Sequence, residues 1–566
     1  MMHSYSFQKT VASLPAALAR ALVALWLLLS SLRAQAQAPS WQAVAAINSP
    51  GNGSAYANAV ATDAAGNVYV AGQFSGTVTL GSFTLSSAAG AGNNGFVAKW
   101  SPSTKSFGWA RQLGGVANGV AVVGSSVYVA GYFSNTASFG STVLTSAGDY
   151  DVFVAKLLDA GSNNTIAWVK QAGGIGPDKP TAVAATNSAV YVAGQFTQAA
   201  TFGATVLTAA NASNGFIAKL TDGGSTGTFA WTQQVASAGY TDASGLAVAG
   251  NALYVVGRFE QAATLGTSTL ATTGGALAYI AKLLDAGASS SVGWVQTSAS
   301  AATSMYTKGV AVTGSSVYMT GDFTGTVAFG AQTLTTAGRR DVFVAKLTDG
   351  ATAGTFVWAQ QAGGATDDLA PGLAVAGNSV YVAGIFTGTA SFGPASLTSA
   401  GGSDIFVTRL IDAGPQATFA WAQQAGGPGN DGSSSLALSG TMPVVVGSFN
   451  ATANFGTQAI TNAALYSENA YLALLGPEVL ATASGERNTS GSLFPNPAHG
   501  SATVQVPSAA SSAALTLRDN LGRVVRTVFA ASGMAYSFDL RGLAPGLYTL
   551  QMQTEASQTV QKLVVE

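Results

Sequence analysis

The chain has 566 residues, contains no Cys and has only two His, His3 and His499, which excludes disulfides, thiolate metal sites and multi-His metal sites. The 23 basic and 24 acidic residues almost balance, so nothing in the charge indicates binding to nucleic acid or to an anionic membrane. With 48% hydrophobic residues and only 8% charged residues, the chain is also unlike disordered proteins of the charged type.

The first 38 residues have the pattern of a secretory signal peptide. Lys9 and Arg20 precede the apolar segment ALVALWLLL, and the Ala-x-Ala sequences within 34–38 fit cleavage sites. The alternative is a membrane anchor, but that segment is much shorter than the roughly 20 apolar residues that a spanning helix needs. We therefore predict that residues 1–38 are removed, that the exported chain has no integral membrane span, and that it is secreted or on the outer cell surface.

Residues 39–476 contain one sequence repeat seven times. A segment like Val-Tyr-Val-Ala-Gly recurs, and its glycines are Gly72, Gly131, Gly194, Gly257, Gly321, Gly384 and Gly447. A segment like Phe-Val-Ala-Lys and a Trp recur in the same register, and the Trp residues are Trp41, Trp109, Trp168, Trp231, Trp294, Trp358 and Trp421. Fixed-period self-similarity of this length is typical of repeat architectures. We number the repeats 1 to 7 by these glycines.

Each repeat is predicted to form four short strands. In repeat 6 these are 372–377, 380–386, 405–410 and 419–424, separated by Asn/Ser, Gly/Ser/Thr and Asp-Ala-Gly loops. Four strands in about 63 residues indicate a propeller blade with a long internal loop. The array begins with a Trp strand at Trp41, and no Trp follows Tyr471 in the last repeat. We therefore predict an all-β fold with a seven-bladed β-propeller closed by the N-terminal strand, because closure removes exposed sheet edges.

These repeats resemble the bacterial β-propeller repeat called SBBP. The resemblance rests on Val-Tyr-Val-x-Gly-x-Phe, Phe-Gly, Leu-Thr, Asp-x-Phe-Val-Ala-Lys and Trp-Ala, which are present in most repeats over about residues 39–476. It implies a fold more firmly than an activity, because propellers serve many unrelated functions.

The C-terminal segment has a different pattern. A small, polar stretch at 477–492 is predicted to be a linker, and alternating strands and turns at 493–566 predict a small immunoglobulin-like β-sandwich. The motifs, in chain order, are FPNP at 494–497, DNLGRVV at 519–525, DLRGLAPGLY at 539–548 and KLVV at 562–565.

This set of motifs resembles the C-terminal sorting domain of type IX secretion cargo (the Por secretion tail). The motif residues that carry the resemblance are Pro495, Asn496, Pro497, Gly522, Arg523, Gly546, Tyr548 and Lys562. The resemblance implies that the type IX machinery is a partner, that the tail directs passage through the outer membrane, and that the source is a Bacteroidota-type bacterium.

Repeated charged residues are predicted to belong to the scaffold, because a catalytic site needs one copy of each group. Asp159, Asp222, Asp285, Asp349 and Asp412 follow the third strand and fit turn formation. Lys99, Lys156, Lys219, Lys282 and Lys346 recur on that strand, with two interpretations left open. They form a ring of cations for an anionic ligand, or they have a scaffold role, either at solvated strand ends or in a repeated pairing with the aspartates of the blade.

Two further sets are candidates for binding. Asp178, Asp242, Asp367, Asp368 and Asp431 lie between the Trp strand and the next repeat, and are weak candidates for a cation such as Ca²⁺, with turn or solvent roles favoured. The residue between Gly and Phe of the second strand differs in every repeat except for one pair of Gln, and these ligand-binding candidates are Gln73, Tyr132, Gln195, Arg258, Asp322, Ile385 and Ser448. We expect no metal site, no cofactor and no catalytic set.

The leading functional hypothesis is a secreted or surface-attached binding or adhesion module with a glycan or protein ligand. The alternative is an extracellular polysaccharide lyase or hydrolase with its site at the mouth of the propeller channel. Its catalytic groups would come from Glu260, Asp322, Tyr132 and Arg258. The two hypotheses differ in one structural feature: the enzyme requires unpaired carboxylates that face each other across a pocket.

Overall fold

A computed structural model describes residues 38–566 with gaps at 52, 88–92, 210–211, 273, 301–303, 463–466, 478–492, 507–511, 520–521, 532–533 and 554–557. Residues 1–37 of the predicted signal peptide and most of the predicted linker lie outside the described residues. The rest of the chain falls into two compact units that divide between Val479 and Leu480. The described parts contain β-strands and no helix long and apolar enough to cross a membrane.

The larger unit consists of antiparallel four-stranded groups, one for each sequence repeat. The first strands are Ala55–Thr62, Val116–Val123, Lys179–Ala185, Gly245–Ala249, Met305–Thr313, Leu369–Ala376 and Asp431–Ser439. The second strands are Val68–Phe74, Ser126–Phe133, Ala189–Phe196, Ala252–Phe259, Ser316–Phe323, Ser379–Phe386 and Met442–Phe449. The third strands are Asn94–Ser101, Asp151–Asp159, Asn214–Asp222, Leu277–Asp285, Asp341–Asp349, Asp404–Asp412 and Asn469–Leu475. The fourth strands are Ser106–Leu113, Asn164–Gly174, Gly227–Ser237, Ser290–Thr297, Gly354–Gly364, Ala417–Ala425 and, for repeat 7, Trp41–Asn48.

A short hairpin is inserted between the second and third strands of every repeat. Its first strands are Thr77–Leu80, Thr136–Phe139, Ala199–Phe202, Ala263–Leu265, Thr326–Phe329, Thr389–Phe392 and Thr452–Phe455. Its second strands are Phe83–Ser86, Thr142–Thr145, Thr205–Thr208, Ser268–Leu270, Gln332–Thr335, Ala395–Thr398 and Gln458–Thr461. Several of these hairpins pair with the fourth strand of the preceding repeat, one of them through the two-residue strand Ala299–Ser300. The predicted long loop of each repeat is therefore mostly sheet.

The N-terminal strand belongs to the last repeat. Trp41–Asn48 pairs antiparallel with Asn469–Leu475, and Trp41 donates its indole N–H to the Gln424 carbonyl of repeat 6 at 3.1 Å. The first strand of each repeat contacts the first strand of the next one, and Ala55–Thr62 contacts both Val116–Val123 and Asp431–Ser439. No sheet of the described chain closes on itself. The architecture is all-β and propeller-like.

The apolar core lies between neighbouring sheets and is built by both of them. Each buried cluster of the larger unit combines side chains from two successive repeats, and one combines repeats 7 and 1. The recurring glycine of the second strand allows this packing: a side chain at Gly384 would collide with the Leu369 carbonyl and with the Phe406 ring. The Gly-x-Phe pattern therefore reflects close approach of strand and ring.

The smaller unit has two antiparallel sheets with one shared core. One sheet contains Leu493–Phe494, Ser501–Gln505 and Ala535–Asp539. The other contains Ser512–Arg518, Val524–Ala531, Gly546–Gln553 and Gln558–Val565. Buried Leu515, Leu517, Phe538, Leu550 and Leu563 come from both sheets, so this unit is a small β-sandwich.

Candidate functional site

The first strands surround a cavity of about 690 Å³, which we call the channel. All seven repeats contribute to its lining. The volume lies within the range of ligand-binding pockets.

In six of the seven first strands a break in the pairing register, such as a β-bulge, aims one residue at the channel. The pairing with the second strand skips Asn58, for example, so that Ala57 and Ala59 oppose consecutive residues Gly72 and Ala71. Bulges are common next to functional sites because they redirect a side chain. The channel-lining residues at this position are Asn58, Asn118, Thr181, Ser244, Lys308, Pro371 and Ser434, of which Ser244 directly precedes its strand.

Several of these polar side chains join neighbouring repeats. Asn58 donates to the Ala117 carbonyl at 3.0 Å, Asn118 to Pro180 at 2.9 Å and Thr181 to Ala243 at 2.6 Å. Each acceptor belongs to the next repeat. In repeats 1 to 3 the bulge side chain therefore stabilises the channel wall.

Repeat 5 differs because it places charged groups in the channel lining. Tyr306, Lys308, Asp322 and Arg340 all line the cavity, and we call these four residues the repeat 5 cluster. Tyr306 and Asp322 are direct cross-strand neighbours. Arg340 lies over the Tyr306 ring at 4.8 Å and 3.7 Å from Asp322. Asp322 is the only Asp or Glu among the lining residues.

Electrostatics in this cluster shift two groups in opposite directions. Burial raises the pKa of Asp322 to about 7, although Arg340 and Lys308 oppose the shift. Hydrogen bonding to Ser304 and to Arg258 lowers the pKa of Tyr306. Asp322 is 8% exposed, and its Oδ2 has no hydrogen-bond donor in the described structure. A buried oxygen without a donor indicates a position where a ligand or water can bind.

The seven second-strand candidates have unequal environments. Gln73, Asp322 and Ile385 line the channel, whereas Tyr132, Gln195, Arg258 and Ser448 are outside its lining. Tyr132 stacks edge-on against Tyr150, and the Lys179 ammonium lies 4.9 Å and 4.4 Å from the two ring centres. Gln195 accepts a hydrogen bond from the Tyr240 hydroxyl.

Arg258 is held between two aromatic rings. Its guanidinium carbon lies 4.2 Å from the Tyr240 ring centre and 4.3 Å from that of Tyr306. Its acidic neighbours are Asp242 at 3.7 Å and Glu260 at 4.0 Å. Arg258 and Asp322, at equivalent positions in adjacent repeats, form no ion pair with each other within the described residues. Arg340, in the loop before the third strand of repeat 5, lines the channel.

The five weak cation candidates do not come together. The described residues contain no group of three or more His, Cys, Asp or Glu that could hold a metal ion. Asp178, Asp368 and Asp431 are fully buried, and each accepts a 2.7 Å hydrogen bond from the backbone N–H four residues earlier. Burial raises the pKa of each of them to about 7.

The other two candidates have cationic neighbours. Asp242 lies beside Arg258, and burial raises its pKa. Asp367 lies 3.6 Å from the exposed Arg339. In the described structure these carboxylates brace loops or pair with arginines, and none of the five lines the channel.

The repeated aspartates form a junction that we call the clamp. Asp222 accepts hydrogen bonds from Lys156 at 2.5 Å, Tyr128 at 2.7 Å and the Trp168 indole at 3.0 Å, all from the preceding repeat. Burial acts to raise the pKa of Asp222, but these bonds outweigh it and lower the pKa. The same arrangement recurs around Asp159, Asp285, Asp349 and Asp412.

The clamp decides between the two interpretations of the repeated lysines. Each lysine pairs with the aspartate of the next repeat rather than with one of its own. The predicted turn role is confirmed for Asp159, Asp222, Asp285 and Asp412, each of which accepts a hydrogen bond of 2.9–3.1 Å from the backbone N–H two residues later.

The C-terminal motif residues hold turns and edges of the sandwich. Asn496 donates to the Lys562 carbonyl and accepts from the Val564 N–H, which ties the first motif to the last strand. Gly522 has φ of +78°, and Arg523 pairs with Asp519 at 2.7 Å across the same turn. Tyr548 donates to the Ala544 carbonyl at 2.9 Å. Pro495 and Pro497 flank Asn496, and Gly546 starts the strand that contains Tyr548.

Sequence reasoning missed the bulge residues. It selected the second-strand position because that position varies among the repeats. The bulge position varies as well, and Lys308 is the only charged member of that series. The variation at the bulge position was a usable signal. However, regular alternation of side chains along an unbroken strand gives no reason to expect the bulge residue to face the channel.

Comparisons with known proteins agree for the C-terminal unit. Residues 492–566 match the family model of the secretion system C-terminal sorting domain. A search of curated proteins finds no significant match.

Among solved structures, the chain is similar to Trypanosoma rangeli sialidase in complex with sialic acid, at 9% identity and a TM-score of 0.31, with 90% of this chain and 83% of that chain covered. A mutant of that sialidase displaying trans-sialidase activity gives 10% identity and a TM-score of 0.27, with 94% and 87% covered. These values are too low to transfer a residue or an activity. The sorting domain at 492–566 implies handling by the type IX secretion machinery and indicates that the protein is secreted or on the outer cell surface.

Proposed function

We propose that this protein is a binding or adhesion module whose larger unit is a closed seven-bladed propeller of SBBP type and whose ligand binds in the channel. Pairing of Trp41–Asn48 with Asn469–Leu475 supports closure by the N-terminal strand. Contacts of the first strand of repeat 1 with those of repeats 2 and 7 support a ring. In this proposal the signal peptide is 1–38, the propeller 39–476, the linker 477–492 and the immunoglobulin-like sorting domain 493–566, in a Bacteroidota-type bacterium.

One observation carries the binding role: the repeat 5 cluster breaks the symmetry of the channel. A scaffold position recurs from repeat to repeat, as the clamp does five times. Lys308, Asp322 and Arg340 have no charged counterpart among the other residues that line the channel. Charges that stabilise no repeated contact and converge on one cavity are what ligand recognition requires.

The enzyme alternative lacks its carboxylate pair. Asp322 has Arg340 nearby, and Glu260 is half-exposed and lies 4.0 Å from Arg258. Tyr132 stacks against Tyr150 and Lys179 instead of standing free. Hydrolysis by two carboxylates needs a second acid across the cavity, and the described channel lining contains only one. Binding without turnover is therefore the proposal favoured by the geometry.

The test is a screen of the chain lacking residues 1–38 against glycan and protein arrays, followed by product analysis of every ligand that binds. We expect binding that the variant Asp322→Asn weakens, with the ligand recovered intact. The matched control is Asp519→Asn, which removes the same charge in the sandwich unit. Cleaved products would favour the enzyme, and absence of any ligand would contradict the proposal.

A further inference from the structure

The repeat 5 cluster contains a cation that the scaffold does not use. The bulge side chains of repeats 1 to 3 bond to the next repeat, and Ser244 bonds through its hydroxyl to Thr307. Lys308 is exposed, lines the channel, and has no hydrogen bond or ion pair within the described residues. Its ammonium is therefore available to a ligand.

Two further groups of the cluster complement Lys308. Arg340 offers a guanidinium whose only ion-pair partner among the described residues is Asp322, and at 3.7 Å the two make no direct hydrogen bond. Asp322 is more than nine-tenths buried, and its Oδ2 lacks a donor. The site thus combines two cations with one acceptor that needs a hydroxyl or N–H donor.

The remaining wall favours a hydroxyl-rich ligand. Amides and hydroxyls from repeats 1, 2, 3, 4 and 7 line the channel, and the exposed lining is more polar than apolar. A peptide ligand would need apolar pockets for its side chains, whereas sugar hydroxyls can exchange hydrogen bonds with Asn, Ser and Thr.

We propose that the ligand is an anionic polysaccharide, whose carboxylate or sulfate binds between Lys308 and Arg340 and whose neighbouring hydroxyl donates to Asp322. This inference rests on the proposed binding function. Arginine and lysine bind oxyanions through charge-assisted hydrogen bonds, which are about twice as strong as neutral ones. A neutral sugar would leave Lys308 without a counter-charge and would bring no oxyanion to Arg340, so the site discriminates by charge.

The experiment measures affinity of the chain lacking residues 1–38 for three polymers: polygalacturonate, dextran sulfate and unmodified dextran. Each titration is repeated between 50 and 500 mM NaCl, a range over which the Debye length falls by about a factor of three. The variant Lys308→Gln with Arg340→Gln is compared with Lys170→Gln with Arg523→Gln. The control pair removes the same charge from outside the channel lining.

We expect binding to at least one anionic polymer, weakening with salt, and none to dextran. The channel variant should bind at least about tenfold more weakly, the effect of losing one or two charge-assisted hydrogen bonds, and the control should bind as the parent. The arm that binds distinguishes a carboxylate from a sulfate. Equal binding of dextran, or an unaffected channel variant, would overturn the anionic assignment while leaving a binding function in place. If the protein array described above yields the only ligands, the anionic assignment is overturned too. If neither the polymers nor the arrays yield any ligand, the result contradicts the proposed function itself.

Discussion

The charged groups near the two ends of the second strands differ in how completely they are hydrogen-bonded. In repeat 5, Tyr318 belongs to the clamp at one end, and Asp322, four residues and roughly 13 Å further along the same strand, lines the channel. At the clamp end, each aspartate has a lysine, a tyrosine and a tryptophan as donors, and the set recurs five times. At the channel end, the charges of repeat 5 occur once and lack such partners. Full hydrogen bonding marks a structural charge, and incomplete hydrogen bonding in a cavity marks one available for binding.

The clamp should show the largest effect on stability. We predict that Asp222→Ala lowers the free energy of unfolding by about 3–5 kcal/mol, because it leaves Lys156 buried without its counter-charge. Urea unfolding followed by fluorescence measures the loss. Replacing the pair by Lys156→Met with Asp222→Leu should recover part of it, since no buried charge remains. A single variant within 0.5 kcal/mol of the parent would show that the clamp is dispensable.

The two kinds of carboxylate also predict opposite pH dependences. Clamp aspartates have lowered pKa values, so their contribution is present above the unfolded-state pKa of about 4 and is lost as pH falls further. Asp178, Asp322, Asp368 and Asp431 have pKa values raised to about 7. The folded state then binds more protons than the unfolded state, and stability falls as pH rises from about 4 to 7.

Melting temperature should therefore be highest near pH 4–5 and decline toward pH 7.5. The variant Asp368→Asn should flatten the decline above pH 5, because its amide stays neutral. The clamp variant Asp222→Ala should leave the slope of the melting temperature between pH 5 and 7.5 unchanged and should alter the pH dependence only below about pH 4. An unchanged slope in Asp368→Asn would assign the decline to other groups.

The repeated features of the propeller-like unit could be predicted from the sequence, and the unrepeated residues of the channel only in part. Seven copies of Trp and Gly in fixed register, with five each of Lys and Asp, predicted the strands, and the Trp41 strand predicted its own pairing with Asn469–Leu475. The donors of each clamp were less predictable, since they lie 50 or more positions from their aspartate, in the preceding repeat. Among the site candidates, Asp322 was selected because it varied, whereas Lys308 was missed because a bulge reverses the side that a strand residue faces.

The closure of the last repeat can be tested with a smaller change. We predict that Trp41→Phe lowers the free energy of unfolding by about 0.5–1.5 kcal/mol through loss of the hydrogen bond to the Gln424 carbonyl, plus a packing loss. The matched control is Trp231→Phe, which removes an indole from a clamp and should cost more because its acceptor, Asp285, is charged. A Trp41 variant with no effect would indicate that the N-terminal strand adds little to repeat 7.

The channel end should show the smallest effect on stability. We predict that Lys308→Gln changes the free energy of unfolding by no more than about 0.5 kcal/mol, since the side chain is exposed and has no bonded partner in the described structure. The same urea titration that detects the clamp variant provides the measurement. The two variants should then affect separate properties. Asp222→Ala reduces stability and leaves the channel groups in place, whereas Lys308→Gln reduces ligand affinity alone. A large stability loss from Lys308→Gln would place it with the scaffold and remove the reason to regard repeat 5 as the binding side of the channel.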